Sequence, residues 1–337
     1  MFDSATDPGP GSDAEDVFDP EPRQIAWTAD QLMATVFPEP KWAVPGMLCE
    51  GLSLLCGPPK VGKSWASLAL ALAIASGGRA FGKIPVDAGA VLYLALEDTA
   101  RRLQARMRTI LAGQDAPEGL TLLTECPRLD RGGDEWIEAW IRKHPDARLI
   151  VVDVFAKVRP APTPGVGAYD GDYAAVGVLK RLADKHGIAI VAVHHIRKAG
   201  SEDFLTEVSG TNGIAGAADA TLVLKRGRGQ ADGILNITGR DVEETEHAMG
   251  FNPATGAWTL LEGDPRQLTA TDNQSVVHAW LREHPDSGPS AIAAGTGLSP
   301  DSVKTTLRRG AQDGWFVQAR RGQWAVADDG DEAEELW

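Results

Sequence analysis

Four stretches of the chain, 52–56, 90–96, 149–154 and 188–193, are apolar at almost every position. Runs this short, without a polar alternate, read as strands covered on both faces. Two more runs with β-branched residues, 220–224 and 234–238, extend the set. Between them, 63–76, 99–111, 134–143 and 172–186 read as helices. Strand and helix by turns predicts an α/β fold, a mostly parallel sheet flanked by helices with right-handed crossovers. After 261 the rhythm changes. Three short helical segments, 274–284, 289–295 and 300–312, precede two strand-like pieces, 315–319 and 323–327, joined at Arg320, Arg321 and Gly322. The expected organisation is an acidic, disordered arm (1–40), a large α/β domain (41–265), a small domain (266–327) and an acidic tail (328–337).

Composition alters this picture little. With 43% hydrophobic and 24% charged residues, a chain disordered or fibrous throughout is excluded. Cys49, Cys56 and Cys126 are odd in number and have no ligand spacing, so neither a disulfide framework nor a zinc site is expected. The first residues are acidic and lack the apolar core of a targeting segment. The longest apolar stretch, 65–75, is about half the roughly 20 residues that span a bilayer. These features together read as a cytoplasmic protein without a membrane segment.

Charge matters more. A net charge of −14 argues against a nucleic-acid partner while it is treated as uniform. It is concentrated at the ends: residues 1–22 carry seven acids and no base, and 328–337 carry six acids and no base. The body between them is close to neutral, so local basic patches count there. Gly, Pro, Asp and Ser make the first segment read as solvated disorder. The tail sets its carboxylates ahead of Leu336 and Trp337, a peptide suited to a basic groove with an apolar pocket, and so a candidate docking point for a partner protein.

The sharpest chemistry lies at Gly57, Pro58, Pro59, Lys60, Val61, Gly62, Lys63 and Ser64, a complete GxxxxGK(S/T) between a strand and a helix. Its glycines let successive N–H groups and the positive end of the next helix face phosphate oxygens. Lys63 is positioned for the β- and γ-phosphates of a nucleotide and Ser64 for Mg²⁺; Trp65 follows as the last residue of the nucleotide-contacting stretch. Phosphoryl transfer also needs a carboxylate for the metal and a group to orient water. Asp153 ends the apolar strand 149–154 at the edge where parallel sheets bind ligands, which makes it the second metal ligand. Glu97 ends the strand 90–96. Asp98 or Thr99 suits the cap of the following helix better, which leaves Glu97 as the candidate catalytic base.

Taken in order, GPPKVGKS, VLYLALED, LIVVDVFAKVRP, IAIVAVHHIRKAG, SGTNGIAGAADATLVL and ITGRDVEE resemble a RecA-like ATPase core. More closely they resemble the RepA-like hexameric helicases, the AAA family ATPases of plasmids and phages, over roughly 42–261. The resemblance implies a RecA-like sheet and a γ-phosphate sensor at His195. His194 and His195, adjacent on a strand, point to opposite faces and do not chelate one ion. It further implies two loops facing a channel that holds single-stranded DNA, one with Lys157 and Arg159 (157–172) and one with Arg197 and Lys198 (197–213). An arginine on a late strand would reach the γ-phosphate of a neighbouring copy. Arg240 is the candidate, with Lys225 as companion, whereas Arg226 and Arg228 lie beside glycines that suggest a turn. A surface ion pair of Arg240 with Asp241 or Glu243 is the plainer alternative. The ring would be a homo-oligomer, a hexamer.

The C-terminal order of three helices and a hairpin is similar to a winged helix. Lys304, Arg308 and Arg309 on its third helix, with Arg320 and Arg321 at the wing tip, are candidate DNA contacts. The resulting expectation is an ATP- and Mg²⁺-dependent DNA helicase-like motor in replication. A RecA-like recombination or annealing ATPase, and a nucleotide-switched DNA-binding regulator, are readings that the same motifs admit.

Overall fold

The computed structural model describes residues 26–160, 168–195, 212–226, 232–262, 272–312 and 314–327. The chain divides into two units, residues 1–39 and 40–337. In the first, Thr28 begins helix α1 (Ala29–Ala34) with a reciprocal cap. Its hydroxyl accepts from the Gln31 N–H at 3.4 Å, and its own N–H donates to Gln31 Oε1 at 3.2 Å. The segment expected as an acidic arm thus contains a helix near its end.

In the second unit a short hairpin, β1 (Trp42–Val44) and β2 (Leu48–Cys49), precedes β3 (Gly51–Gly57) and α2 (Lys63–Ser76). A second small hairpin, β4 (Arg79–Ala80) and β5 (Ile84–Pro85), leads to β6 (Val91–Ala95), α3 (Ala100–Leu111) and β7 (Leu120–Leu123). Then come α4 (Gly133–Lys143), β8 (Leu149–Asp153), α5 (Ala168–His186), β9 (Ala189–His195), α6 (Asn212–Ala217) and β10 (Ala220–Arg226). Three strands, β11 (Asp232–Gly239), β12 (Thr245–Asn252) and β13 (Ala257–Leu260), complete a nine-stranded sheet of order β13-β12-β11-β10-β3-β9-β8-β6-β7. From β10 to β7 every pairing is parallel; from β10 to β13 every pairing is antiparallel.

The apolar runs do what their lack of alternation predicts. Along β3, Leu52, Leu54 and Cys56 enter one hydrophobic cluster with α4 and α5, while Leu55 enters the other with α2 and α3. A helical layer therefore lies on each side of the sheet. Three strands of this nine-stranded sheet escape the sequence pattern. β7 is a four-residue edge strand, half-buried throughout; β12 opens on three polar residues, Thr245, Glu246 and His247, and β13 is only four residues long. Another expectation is corrected: α5 begins at Ala168, so 168–172 belong to a helix and not to the loop placed at 157–172.

Glu138 on α4 fastens the two helices of one face. Its Oε1 accepts from Lys185 Nζ at 2.6 Å, Arg142 Nη2 at 3.0 Å and His186 Nε2 at 3.2 Å. Lys185 above all, then Arg142 and His186, lower its carboxyl from the ordinary 4.5 to about 2 against the opposing effect of burial. A depressed carboxyl stabilises the fold above its unfolded value and loses that contribution as pH falls towards the folded one. Glu138→Gln is expected to lower Tm by about 2–4 °C at pH 7, a loss on the order of 1 kcal/mol. The difference from wild type should close between pH 4.5 and about 2, as followed by circular dichroism melts.

Beyond 262, α7 (Asp272–Glu283), α8 (Pro289–Thr296), α9 (Pro300–Gln312) and the hairpin β14 (Phe316–Arg320) and β15 (Gln323–Val326) enclose a hydrophobic cluster of their own. Val277, Leu281, Ile292, Val303 and Leu307 meet Trp315 and Phe316 there.

Candidate active site

The loop 57–62 leaves β3 at the C-terminal edge of the parallel strands and opens α2. Gly62 caps that helix at φ 113°, and a Cβ there would stand 2.9 Å from Trp258 Nε1. Only glycine meets both demands. The buried Trp258 donates from Nε1 to the Gly62 carbonyl at 3.2 Å, so β13, from the antiparallel end of the sheet, braces the loop. Trp65 lies half-buried, with the turn at Gly256 against its ring and the Arg106 guanidinium 5.6 Å above it.

Lys63 is 4% exposed. Its ammonium donates to the carbonyls of Gly57 at 2.7 Å and Pro58 at 3.0 Å, and lies 3.0 Å from His195 Nδ1. Burial pulls its pKa from 10.5 down to about 8. An ammonium has only donors, so His195 Nδ1 accepts, and the ring's proton sits on Nε2. Burial, then the Lys63 charge, holds His195 below the ordinary imidazole range, which keeps it neutral at pH 7. Nε2 faces Glu97 Oε2 at 4.0 Å. The neighbouring His194 is pushed down to about 4, chiefly by burial.

Asp153, 7% exposed, ends β8 opposite Ala95 of β6. Its carboxylate accepts from Tyr93 Oη at 2.7 Å and from the Ser64 hydroxyl. Burial raises its pKa, and these two hydrogen bonds oppose the rise. Glu97 stands just past β6, with its side chain 54% exposed. Thr99 caps α3, and Asp98 pairs with Arg102 at 3.0 Å and with Arg106. Glu97 is therefore committed to neither local duty. Among the described residues no three His, Cys, Asp or Glu side chains form a metal cluster. Ser64 and Asp153 nevertheless fit Mg²⁺, which takes hard oxygen ligands, few of them from protein, and completes its shell with phosphate and water.

The structure thus brings Lys63, Ser64, Glu97, Asp153 and His195 to one edge. It does not bring Arg240 there. Arg240 follows β11 where Gly239 pairs with Ala220, at the opposite end of the strands from Gly57. Its partner is neither Asp241 nor Glu243 but Asp219, with Nη1 3.6 Å from Oδ1. Asp219 also accepts from the Leu52 N–H at 2.8 Å and pairs with Lys180 at 3.1 Å. At the loop edge stand Lys225 and Arg226, the latter 4.2 Å over Phe251 and 5.3 Å over Trp258. Arg226 is the end of a strand and not part of a turn. Lys157 and Arg159 follow β8 at the same edge, Lys157 exposed and Arg159 partly buried. Lys304, Arg308, Arg309, Arg320 and Arg321 are all exposed. Arg197, Lys198, Arg228 and the tail 328–337 lie outside the described residues. No motif marks Tyr93, Ser67 or Trp258 in the sequence. The lone hydroxyl within the apolar run at Tyr93 was the available signal.

A phosphate-binding loop on the central strand, with a carboxylate two strands away and a second on the strand beyond it, defines a P-loop ATPase core of RecA-like fold. The family is reached by sequence as well. A family model described as an AAA domain (AAA_25) matches residues 18–201, more than half of the chain, and the chain belongs to that family. No curated protein matches in sequence. Among solved structures, the ATPase domain of G40P aligns with a TM-score of 0.52 at 14% identity, over 63% of this chain and 85% of that one. A DnaB-like replicative helicase, described with its interactions with primase, aligns with the same TM-score and identity. That alignment spans 63% of this chain and 59% of the helicase. At such identity the likeness is one of fold. Among the described residues no helix is long and apolar enough to cross a membrane.

Proposed function

We propose that this protein is an Mg²⁺-dependent ATP hydrolase that works as a DNA motor of the replicative-helicase kind, assembled as a ring of identical chains. One observation carries the reading: Lys63 lies 3.0 Å from Nδ1 of the neutral His195, whose Nε2 faces Glu97 at 4.0 Å, so the three side chains line up from the phosphate loop across the strand edge. A phosphate sensor needs such a line of side chains. A triphosphate entering the loop competes for the Lys63 ammonium, whose donors now serve Gly57, Pro58 and His195. Drawing Lys63 towards the β- and γ-phosphates releases His195 Nδ1, and the ring reorients at the end of β9. Binding is thereby reported to the residues that follow His195, among them Arg197 and Lys198.

The loop amides and the start of α2 hold the phosphates through dipoles fixed before the nucleotide arrives. Ser64 and Asp153 would hold Mg²⁺, which would supply positive charge against the phosphate oxygens. Glu97, more than half exposed, accepts a proton from water lined up with the γ-phosphate. Arg240, remote from its own loop, serves only a neighbouring copy whose site abuts that edge, which is why the reading requires an oligomer. Lys157, Arg159, Arg197 and Lys198 are the proposed contacts to single-stranded DNA. The C-terminal helices and hairpin are proposed to act as a winged helix, with Lys304, Arg308, Arg309, Arg320 and Arg321 on the DNA backbone. The acidic tail is proposed to dock a replication protein.

The fold shared with the G40P ATPase domain and the DnaB-like helicase, together with the AAA family, supports the motor over other P-loop chemistries. The test is ATPase rate with and without single-stranded DNA, beside mass by light scattering with Mg²⁺ and nucleotide. A ring-forming motor gives a mass several times 35.8 kDa and a DNA-stimulated rate. A strict monomer with no stimulation sinks this function.

A further inference from the structure

Within β6, Tyr93 is a buried phenol in an otherwise apolar strand. A tyrosine buried this deeply needs a partner for its hydroxyl. β6 and β8 run parallel with Tyr93 opposite Val151 and Ala95 opposite Asp153. The two-residue period of a strand therefore turns 93 and 153 to the same face, the face packed on α2. The phenol spans the diagonal and donates to Asp153 Oδ2 at 2.7 Å. Behind it, Ser67 Oγ lies 3.0 Å from Tyr93 Oη. With the phenolic proton given to the carboxylate, the Ser67 hydroxyl is the donor in that second bond. Ser67 sits one turn along α2 from Lys63, so a buried relay runs from the phosphate-loop helix through Tyr93 to Asp153.

We propose that Tyr93 is a positioning residue, held by Ser67, that fixes the rotation of the Asp153 carboxylate so that its remaining lone pairs face Ser64 and a metal-bound nucleotide. The proposal rests on the reading of this edge as an Mg²⁺–nucleotide site. An ionised carboxylate offers about four acceptor positions, and Tyr93 takes one on Oδ2. The others remain free for Ser64 and the cation. A carboxylate without this anchor rotates, and ordering it again opposes metal binding. Outer partners of this kind are typically worth about 10–100-fold in metal affinity.

The experiment titrates Mg²⁺ into full-length protein with a fluorescent ATP analogue and measures nucleotide retention, with a parallel series in EDTA. Tyr93→Phe keeps the ring and removes the hydroxyl. The Mg²⁺ needed for half-maximal retention is expected to rise about tenfold while retention in EDTA stays within about twofold of wild type. Ser67→Ala, which leaves Tyr93 in place, is expected to move the Mg²⁺ requirement the same way by less. In an Asp153→Asn background, Tyr93→Phe is expected to have no further effect on that requirement. An unchanged requirement in Tyr93→Phe, or equal losses with and without Mg²⁺, overturns the proposal and leaves Tyr93 a core residue. Wild-type protein that retains no nucleotide at any Mg²⁺ concentration defeats the reading of the site itself.

Discussion

Lys63→Met is expected to give a folded protein whose affinity for ATP, with Mg²⁺ present, is lower by about 10²–10³-fold. Truncating one member of a buried, hydrogen-bonded charge pair costs about 2–5 kcal/mol, and each 1.4 kcal/mol is tenfold. Without nucleotide the balance is different. The ammonium is almost fully buried against two carbonyls and a neutral imidazole, with Asp153 and Glu97 as the nearby carboxylates. Methionine removes the burial of a charge but leaves the Gly57 and Pro58 carbonyls without their donor. These terms oppose one another, so Tm is expected to move by no more than about 4 °C. The pH dependence follows from the depressed pKa of about 8. Between that value and 10.5 the unfolded chain binds more protons than the folded one, so the stability of nucleotide-free wild type rises with pH across this window. Lys63→Met lacks the rise. Nucleotide affinity runs the other way, falling above about pH 8 as the free protein loses the proton that a bound triphosphate requires. Calorimetric titration at pH 7 and pH 9 checks both. Affinity retained within tenfold in Lys63→Met removes the phosphate-binding role.

What could be read beforehand was whatever the chain states locally. Lys63 and Ser64 lie within a motif whose strand and helix are contiguous with it, and Glu97, Asp153 and His195 each end an apolar run. Parallel sheets deliver strand ends to one edge, so three residues spread over 99 positions could be assigned to one site before their distances were known. What failed depended on register and on partners far along the chain. Tyr93 is ordinary within an apolar run until β6 and β8 are aligned, which turns its hydroxyl towards Asp153. Trp258 braces Gly62 across 196 positions, from a four-residue strand that the sequence pattern leaves unassigned. Proximity in sequence offers Arg240 an ion pair with Asp241 or Glu243. Its partner is Asp219, because the antiparallel pairing of β10 and β11 folds Gly239 onto Ala220. Gly227 suggests a turn at Arg226; Arg226 is the last residue of β10, and two aromatic rings hold its guanidinium. Local composition marks where a turn is permitted; cross-strand packing decides where it occurs.

Glu97→Gln is expected to bind Mg²⁺ and ATP as wild type does, within about threefold, and to hydrolyse ATP about 10²–10⁴-fold more slowly, the usual worth of a general base. The amide keeps the shape of the side chain and removes its ability to take a proton. Few structural consequences should confuse the result. The carboxylate is more than half exposed, the cap of α3 belongs to Thr99, and the arginines of α3 pair with Asp98. Glu97 Oε2 lies 4.0 Å from His195 Nε2, too far for a hydrogen bond whose loss would weaken the fold. Because Lys63 holds the Nδ1 side of that ring, Nε2 still carries its proton in the variant and still faces position 97. Sensor and base therefore separate cleanly: His195→Ala should reduce the coupling between DNA and ATPase rate, whereas Glu97→Gln should stop turnover with the nucleotide in place. Single-turnover hydrolysis beside equilibrium binding makes the distinction. If Glu97→Gln hydrolyses within about fivefold of wild type, the base lies elsewhere, and a carboxylate this exposed beside the phosphate loop is a solvated strand end. If turnover stops but DNA-dependent output continues, ATP acts in this protein as a bound switch and the work of a motor is not required.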